Sequence, residues 1–171
     1  MINETLKFYA LMTLDTLDLR ILTVLLEDGR ISNQDLAERV ALSPSACLRR
    51  VRLLEEAGVI AGYRAELDLE QLGIEVDAMV QVSMRQDVQG WHDTFIEAIR
   101  DWPEVTAAYI ITGECNYVLR VQARNLRHYS DFIVNRLYRT AGVLDIRSNI
   151  ILQTIKSSKS GLARLAEDGA A

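Results

Sequence analysis

The sequence predicts an α+β chain in two parts: three short helices, then a β-α-β-β-α-β run. Three observations carry this. Apolar residues recur at helical spacing from Leu17 to Leu54, in blocks punctuated by Gly29, Ser32, Ser43 and Gly58. From Val76 the spacing changes to strict alternation, the period of a half-buried strand. Between them "DLEQLG" (68–73) reads as a hinge with a short helical turn.

In the first part, Leu17, Ile21 and Leu25 mark one helix, with Asp15 or Thr16 as its cap and Gly29 as its stop. A second helix starts at Ser32, with Asp35 in capping-box spacing and Leu36, Ala37 and Val40 as its apolar positions. The third opens with "SPSACLRRVR". Ser43 is a good N-cap, and Pro44 suits the first helical position, where its missing N–H needs no partner. Gly58 ends the helix. Only Ala41-Leu42-Ser43 separates the second helix from the third, a helix-turn-helix spacing. "VIAGYRAEL" (59–67) then reads as a strand or wing, which makes the unit a winged helix-turn-helix.

In the second part, Val76, Ala78, Val80, Val82 and Met84 share a strand face. Phe95, Ile99 and Trp102 give a helix stopped by Pro103, and Val105, Ala107, Tyr109 and Ile111 give a second strand. Gly113-Glu114-Cys115-Asn116 turns into the strand "YVLRVQA". Asn125 caps a helix carrying Leu126, Tyr129, Ile133 and Leu137, which Gly142 ends, and "DIRSNIIL" (145–152) is the last strand. The order is that of a ferredoxin-like fold. Helices on one side leave the other sheet face uncovered, and oligomerisation is the expected way to bury it. The domains are therefore expected at 14–64 and 75–156, with a hinge at 65–74 and a tail at 157–171 carrying a weak helix at 161–167. Residues 1–11 read as an upstream extension.

Composition narrows the function. The chain has 171 residues, 49% hydrophobic and 25% charged, and a formal charge of −5. No apolar run approaches the roughly 20 residues of a membrane span, and the first residues lack a secretory signal, so a cytoplasmic protein is expected. Two cysteines far apart and two histidines argue against a disulfide framework or a metal centre, and no cofactor is expected. His92 reads as a surface residue near a helix start. Positive charge is local: residues 43–64 hold four arginines against Glu55 and Glu56. On a helix Ser45, Arg49 and Arg52 form one outward stripe, opposite Cys47, Val51 and Leu54. That pattern suits a helix laid in the major groove of double-stranded DNA, N-terminal residues at base edges and flanking cations on phosphates. The alternative is a solvated face on which Glu55 and Glu56 pair Arg52.

These residues resemble the Lrp/AsnC (feast/famine) family of bacterial and archaeal regulators. The blocks are "LEDGRISNQDLAERV", "LSPSACLRRVRLLEEAGVI", "GYRAELD", "TGECNYVLRV" and "AGVLDIRS", spread collinearly over about residues 14–156. The resemblance implies a sequence-specific transcriptional regulator rather than an enzyme, with an effector-binding C-terminal αβ-sandwich. It also implies homodimers joined through those sandwiches and higher assemblies of dimers such as an octamer. On this sequence it places Ser43, Ser45 and Ala46 nearest DNA and makes Arg49 the base-reading candidate. Arg50 and Arg52 are expected on phosphates, with Arg30 and Gln34 touching the backbone. It places an amino acid-like effector at Gly113, Glu114, Asn116 and Tyr117, with Ser148 nearby. The family often has Gly-Asp-x-Asp at this turn, whereas this chain has Glu114 and neutral Asn116. A structural β-turn is the plain alternative for those four residues.

Two other functions fit the layout less well. Sirohaem-type tetrapyrrole decarboxylases share it, but that chemistry needs cationic or histidine groups around a large pocket. A DNA-compacting protein needs phosphate attraction over the whole body, which the overall acidity opposes.

Overall fold

The computed structural model describes residues 14–85 and 90–156; the expected extension at 1–11 and the tail at 157–171, with its helix at 161–167, lie outside the described residues. The chain divides into two compact units, one reaching to Glu66 and the other spanning Leu67–Ile155.

The first unit contains α1 (Thr16–Glu27), α2 (Asn33–Arg39) and α3 (Pro44–Glu56). Asp15 caps α1 in a reciprocal box with Asp18, Ser32 caps α2, and Ser43 caps α3 with Pro44 in its first turn. Each cap side chain accepts a backbone N–H that would otherwise be orphaned at the helix start. The apolar faces of the three helices meet in one core of Ile21, Leu22, Val24, Leu36, Ala37, Val40, Cys47 and Leu54. Between α2 and α3 the chain turns at Ala41, which takes φ +57°, while Leu42 N–H donates to the Ala37 carbonyl at 2.9 Å. No strand forms in residues 59–67, where the sequence predicts a wing. The segment passes once beside α3 with no second arm to build a ladder, tied by Tyr63 Oη donating to Glu55 at 3.0 Å.

The second unit runs β1 (Val76–Met84), α4 (Trp91–Arg100), β2 (Val105–Ile110), β3 (Tyr117–Ala123), α5 (Leu126–Phe132) and β4 (Val143–Ile150). Its sheet has the order β2-β3-β1-β4, with every pair antiparallel, as a ferredoxin-like fold requires. Residues 69–73 form the turn that leads in. Along β1 the residues Val76, Ala78, Val80, Val82 and Met84 are buried and face Tyr117, Leu119, Val121 and Ala123 of β3. Phe95 and Ile99 of α4 and Tyr129, Phe132, Ile133 and Leu137 cover this face.

Three details depart from the sequence expectation. The pairing of β2 with β3 shifts between Val105 and Ala107. The extra residue moves the later positions across the sheet, so Ala108 and Ile110 take the helix side and Ala107 and Tyr109 the opposite one. Ile111 lies beyond the strand. After Phe132 the helix widens into one π turn, Ile133–Leu137, with Tyr138 N–H reaching the Ile133 carbonyl at 2.9 Å. Phe132, three residues after the buried Tyr129, is in the core, and Leu126, expected there, is exposed. The last strand starts at Val143 and ends at Ile150, two residues earlier at each end than expected. The outer sheet face is mixed rather than apolar, with Arg120 bonded to Asp77 at 2.6 Å.

Candidate nucleic-acid interface and effector site

The start of α3 is braced from two sides. Ser43 Oγ accepts the Ala46 N–H at 3.3 Å and lies 3.3 Å from Ser45 Oγ. Asn33 Nδ2 donates to the Pro44 carbonyl at 2.9 Å, so the first turn of α2 holds the first turn of α3. Cys47 and Leu54 are fully buried, Ala46 is half-buried, and Ser43, Ser45, Arg49 and Arg52 are exposed. Among the described residues no ion pair engages Arg49 or Arg52. Glu55 receives the Tyr63 hydroxyl and does not pair with Arg52. Gln34 and Arg30 are exposed at and before the start of α2, and the Arg30 N–H donates to Asp28 at 2.9 Å.

Arg50 departs from its expected place on a phosphate. Its Nη1 sits 2.7 Å from Asp18 Oδ1 and 2.8 Å from Asp15 Oδ2, and Asp18 is only 4% exposed. The reason is helical phase: position 50 lies three residues after Cys47 and four before Leu54, on the inward stripe. The bond to Asp18, ahead of that to Asp15, raises the Arg50 pKa further and keeps the guanidinium charged. Arg50 is therefore a clamp between α3 and the start of α1.

The β2–β3 turn has its own logic. Gly113 takes φ +121°, a left-handed conformation that side chains resist, although a Cβ there would meet nothing within 4 Å among the described residues. Asn116 closes the turn. Its carbonyl accepts the Ile111 N–H at 3.1 Å, its N–H donates to Val82 at 3.0 Å, and its Oδ1 accepts the Met84 N–H at 2.7 Å. That side-chain oxygen caps the end of β1. Tyr117 is 2% exposed, so its side chain belongs to the core rather than to the turn's surface. Its hydroxyl lies 2.5 Å from His92 Nδ1 and its ring 4.6 Å from Phe95. Burial, with Asp93 behind it, pushes the phenol pKa up. Glu114 is exposed, and Arg147 of β4 reaches it at 3.4 Å.

Ser148 lies apart from Glu114. It pairs with Val80 in the ladder and shares the helix-covered side, beside the buried Tyr129 hydroxyl, which among the described residues has no hydrogen bond of good geometry. Arg147, one residue earlier, points to the opposite side. One chain thus gathers Gly113, Glu114 and Asn116 on the turn and leaves Tyr117 and Ser148 on the helix side. Residue type and spacing give no signal for Arg147, because its link to Glu114 runs across the sheet. They give none for the buried Glu104 either, which bonds His128 and Arg136 at 3.1 Å each. His92, expected at the surface, is half-buried against Tyr117. Cys47 is buried, which pushes its thiol pKa up. Among the described residues no group of three or more His, Cys, Asp or Glu side chains is placed to hold a metal, and no helix is long and apolar enough to cross a membrane.

Comparison with known proteins decides the family. A model of winged helix-turn-helix DNA-binding domains matches residues 14–61, and the Lrp/AsnC ligand binding domain matches residues 77–160. The chain is 39% identical over 145 residues to the leucine-responsive regulatory protein of Rhizobium meliloti, covering 85% of this chain and 93% of that one. The chain belongs to the Lrp/AsnC family. The Bkd operon transcriptional regulator of Pseudomonas aeruginosa is 41% identical to it over 142 residues, 83% of this chain and 93% of its own. A transcriptional regulator from Neisseria meningitidis, solved as a complex with L-Met, superposes with a TM-score of 0.86 at 39% identity. That likeness covers 90% of this chain and 99% of the other. As an Lrp/AsnC protein the chain is a DNA-binding transcriptional regulator with a small-molecule-binding domain, a regulatory role and not an enzymatic one.

Proposed function

We propose that α3 reads operator DNA through Ser43, Ser45, Ala46 and Arg49, with Arg52 on a phosphate and Arg30 and Gln34 on the neighbouring backbone. The observation that carries this reading is the exposed stripe of Ser45, Arg49 and Arg52 on a helix whose inward side is clamped by Arg50. Arginine on guanine O6 and N7 discriminates by roughly 1–3 kcal/mol, and Arg49, in no ion pair among the described residues, has its fork available for that contact. The overall charge of −5 keeps the rest of the molecule from binding DNA blindly. The test is binding of the full chain to the DNA upstream of its own gene at moderate salt, beside random DNA of equal length. Equal affinity for both would sink sequence-specific reading.

The turn Gly113–Asn116 is proposed as the effector site, and the effector as an amino acid or a related metabolite. The L-Met complex of the Neisseria relative supports that class. Residues 65–74 serve as the hinge, and the protein acts in the cytoplasm, where its DNA is. Homodimers, assembled further into rings such as an octamer, cover the apolar residues left exposed on the sheet's edge strands, Ile110, Leu144 and Ile150. The effector acts by binding one arrangement of dimers better than another, which changes how paired DNA-binding units span their sites. Sedimentation of the full chain with and without L-methionine tests this. A monomer under both conditions overturns it.

A further inference from the structure

We propose that the slot between α4 and β2 binds an apolar monocarboxylate, its chain against Ile96, Ile99 and Ile110 and its carboxylate on Arg100. This site is separate from the Gly113–Asn116 turn and does not depend on the reading of that turn. The slot has a volume of about 390 Å³, within the roughly 300–1,000 Å³ usual for small-molecule sites. The irregularity in β2 creates it. Unbroken alternation would turn Ala107 and Tyr109 towards α4, but the shift after Val105 brings Ala108 there instead. A methyl group where a phenol ring would stand leaves the space open.

The two ends of the slot differ. α4 leads into β2 through residues 101–104, so Arg100 lies by the strand's entrance, beside Val105 and Thr106. Ile96, one turn back and about 5.4 Å along the axis, lies towards Ile110 and Tyr117. Arg100 is the one formally charged residue among the described lining, and among the described residues no ion pair engages it. The other polar side chains there are committed. Thr106 Oγ1 donates to the Arg120 carbonyl at 3.3 Å, the Tyr117 hydroxyl meets His92 Nδ1, and Tyr109 is on the opposite side of the sheet. A carboxylate on the Arg100 fork gains charge-assisted hydrogen bonds while its chain leaves water. An ammonium group has no acid on these walls to receive it, so an amino acid brings a second charge without a partner. The chemistry selected is an acid head on a short apolar chain with no amine.

The test is calorimetric titration of the full chain with 4-methylpentanoate and with 4-methylpentan-1-ol, which keeps the chain and loses the charge. The acid is titrated again in a large excess of L-methionine. The acid is expected to bind at least about tenfold more tightly than the alcohol, the scale of one charged hydrogen bond, and L-methionine should not displace it. Arg100→Gln should bring the acid down to the affinity of the alcohol and leave the alcohol unchanged. Ala108→Phe puts back the ring that the shifted register removed and should abolish binding of both. Arg100 is exposed, so its variant stays informative if the larger side chain at 108 disturbs folding. Equal affinities for acid and alcohol, full acid binding by either folded variant, or displacement by L-methionine overturns the proposal. So does a wild type that binds no acid at millimolar concentration, the result expected if a neighbouring copy of the chain fills the slot.

Discussion

Arg50 donates to Asp18 at 2.7 Å across the packing of α3 on α1, and Asp18 is nearly inaccessible to water. The bond divides the three arginines of "LRRVR" into one that holds α3 against α1 and two that face outward. Replacing Arg50 by Gln leaves a buried carboxylate without its cation. The expected cost is roughly 3 kcal/mol in urea unfolding, near the low end for a broken buried pair because Arg50 keeps some exposure. A loss below about 0.5 kcal/mol would mean that the clamp contributes little.

The outward pair should behave differently. Arg52→Gln should leave unfolding almost unchanged and reduce the slope of log K against log[salt] for DNA binding by about 0.9, the share of one phosphate. Arg49→Gln should instead narrow the gap between operator and random DNA by about 1–3 kcal/mol. Swapped phenotypes would reverse the two assignments.

Acid should weaken the first unit through Asp15. The Asp18 N–H chiefly, and Arg50 after it, hold the Asp15 carboxyl below the usual carboxylate range against partial desolvation. Because the folded pKa is depressed, the unfolded chain binds the proton more readily. The contribution is whole above the ordinary value of about 3.9 and fades as pH falls through the folded one. Unfolding midpoints of Asp15→Asn and wild type should therefore converge below about pH 4. A gap that stays constant with pH argues against this origin.

At the Gly113–Asn116 turn, Asn116→Asp keeps an acceptor for the Met84 N–H and should leave the melting temperature close to that of the wild type. Asn116→Leu removes the acceptor and should cost about 1–3 kcal/mol. Equal stabilities for the two variants would show that the bond is dispensable.

Gly142→Ala should be strained twice over. The residue takes φ +87°, and a Cβ there would lie 3.2 Å from Met84 Cε and 3.3 Å from Trp91 Cβ. A loss of roughly 1–3 kcal/mol is expected in thermal unfolding. An unchanged melting point would show that this junction yields.

Much of the fold is legible in the residues because caps and periodicity are local. Asp15, Ser32, Ser43 and Asn125 each cap the helix expected of them, and β1 alternates as its sequence does. The features that a sequence hides are non-local or phase-breaking. A bulge after Val105 cannot be seen in a row of apolar residues, so simple alternation puts Ala107 and Tyr109 on the wrong side. The role of Arg50 needs the position of α1, and the link of Arg147 to Glu114 needs the register of two strands on either side of β1. Adjacent arginines look alike in sequence until a carboxylate 32 residues away distinguishes them.

The irregularity between Val105 and Ala107 has a consequence beyond the facing of side chains. β2 lies at the border of the sheet, with one row of backbone donors and acceptors turned outward. An unbroken border of this kind invites another chain to zip along it and then another, the growth mode of a fibre. The kink interrupts that row at the strand's entrance, just after Pro103, which has no N–H to offer. The border of β2 is thereby a poor template for edge-to-edge growth into endless polymer.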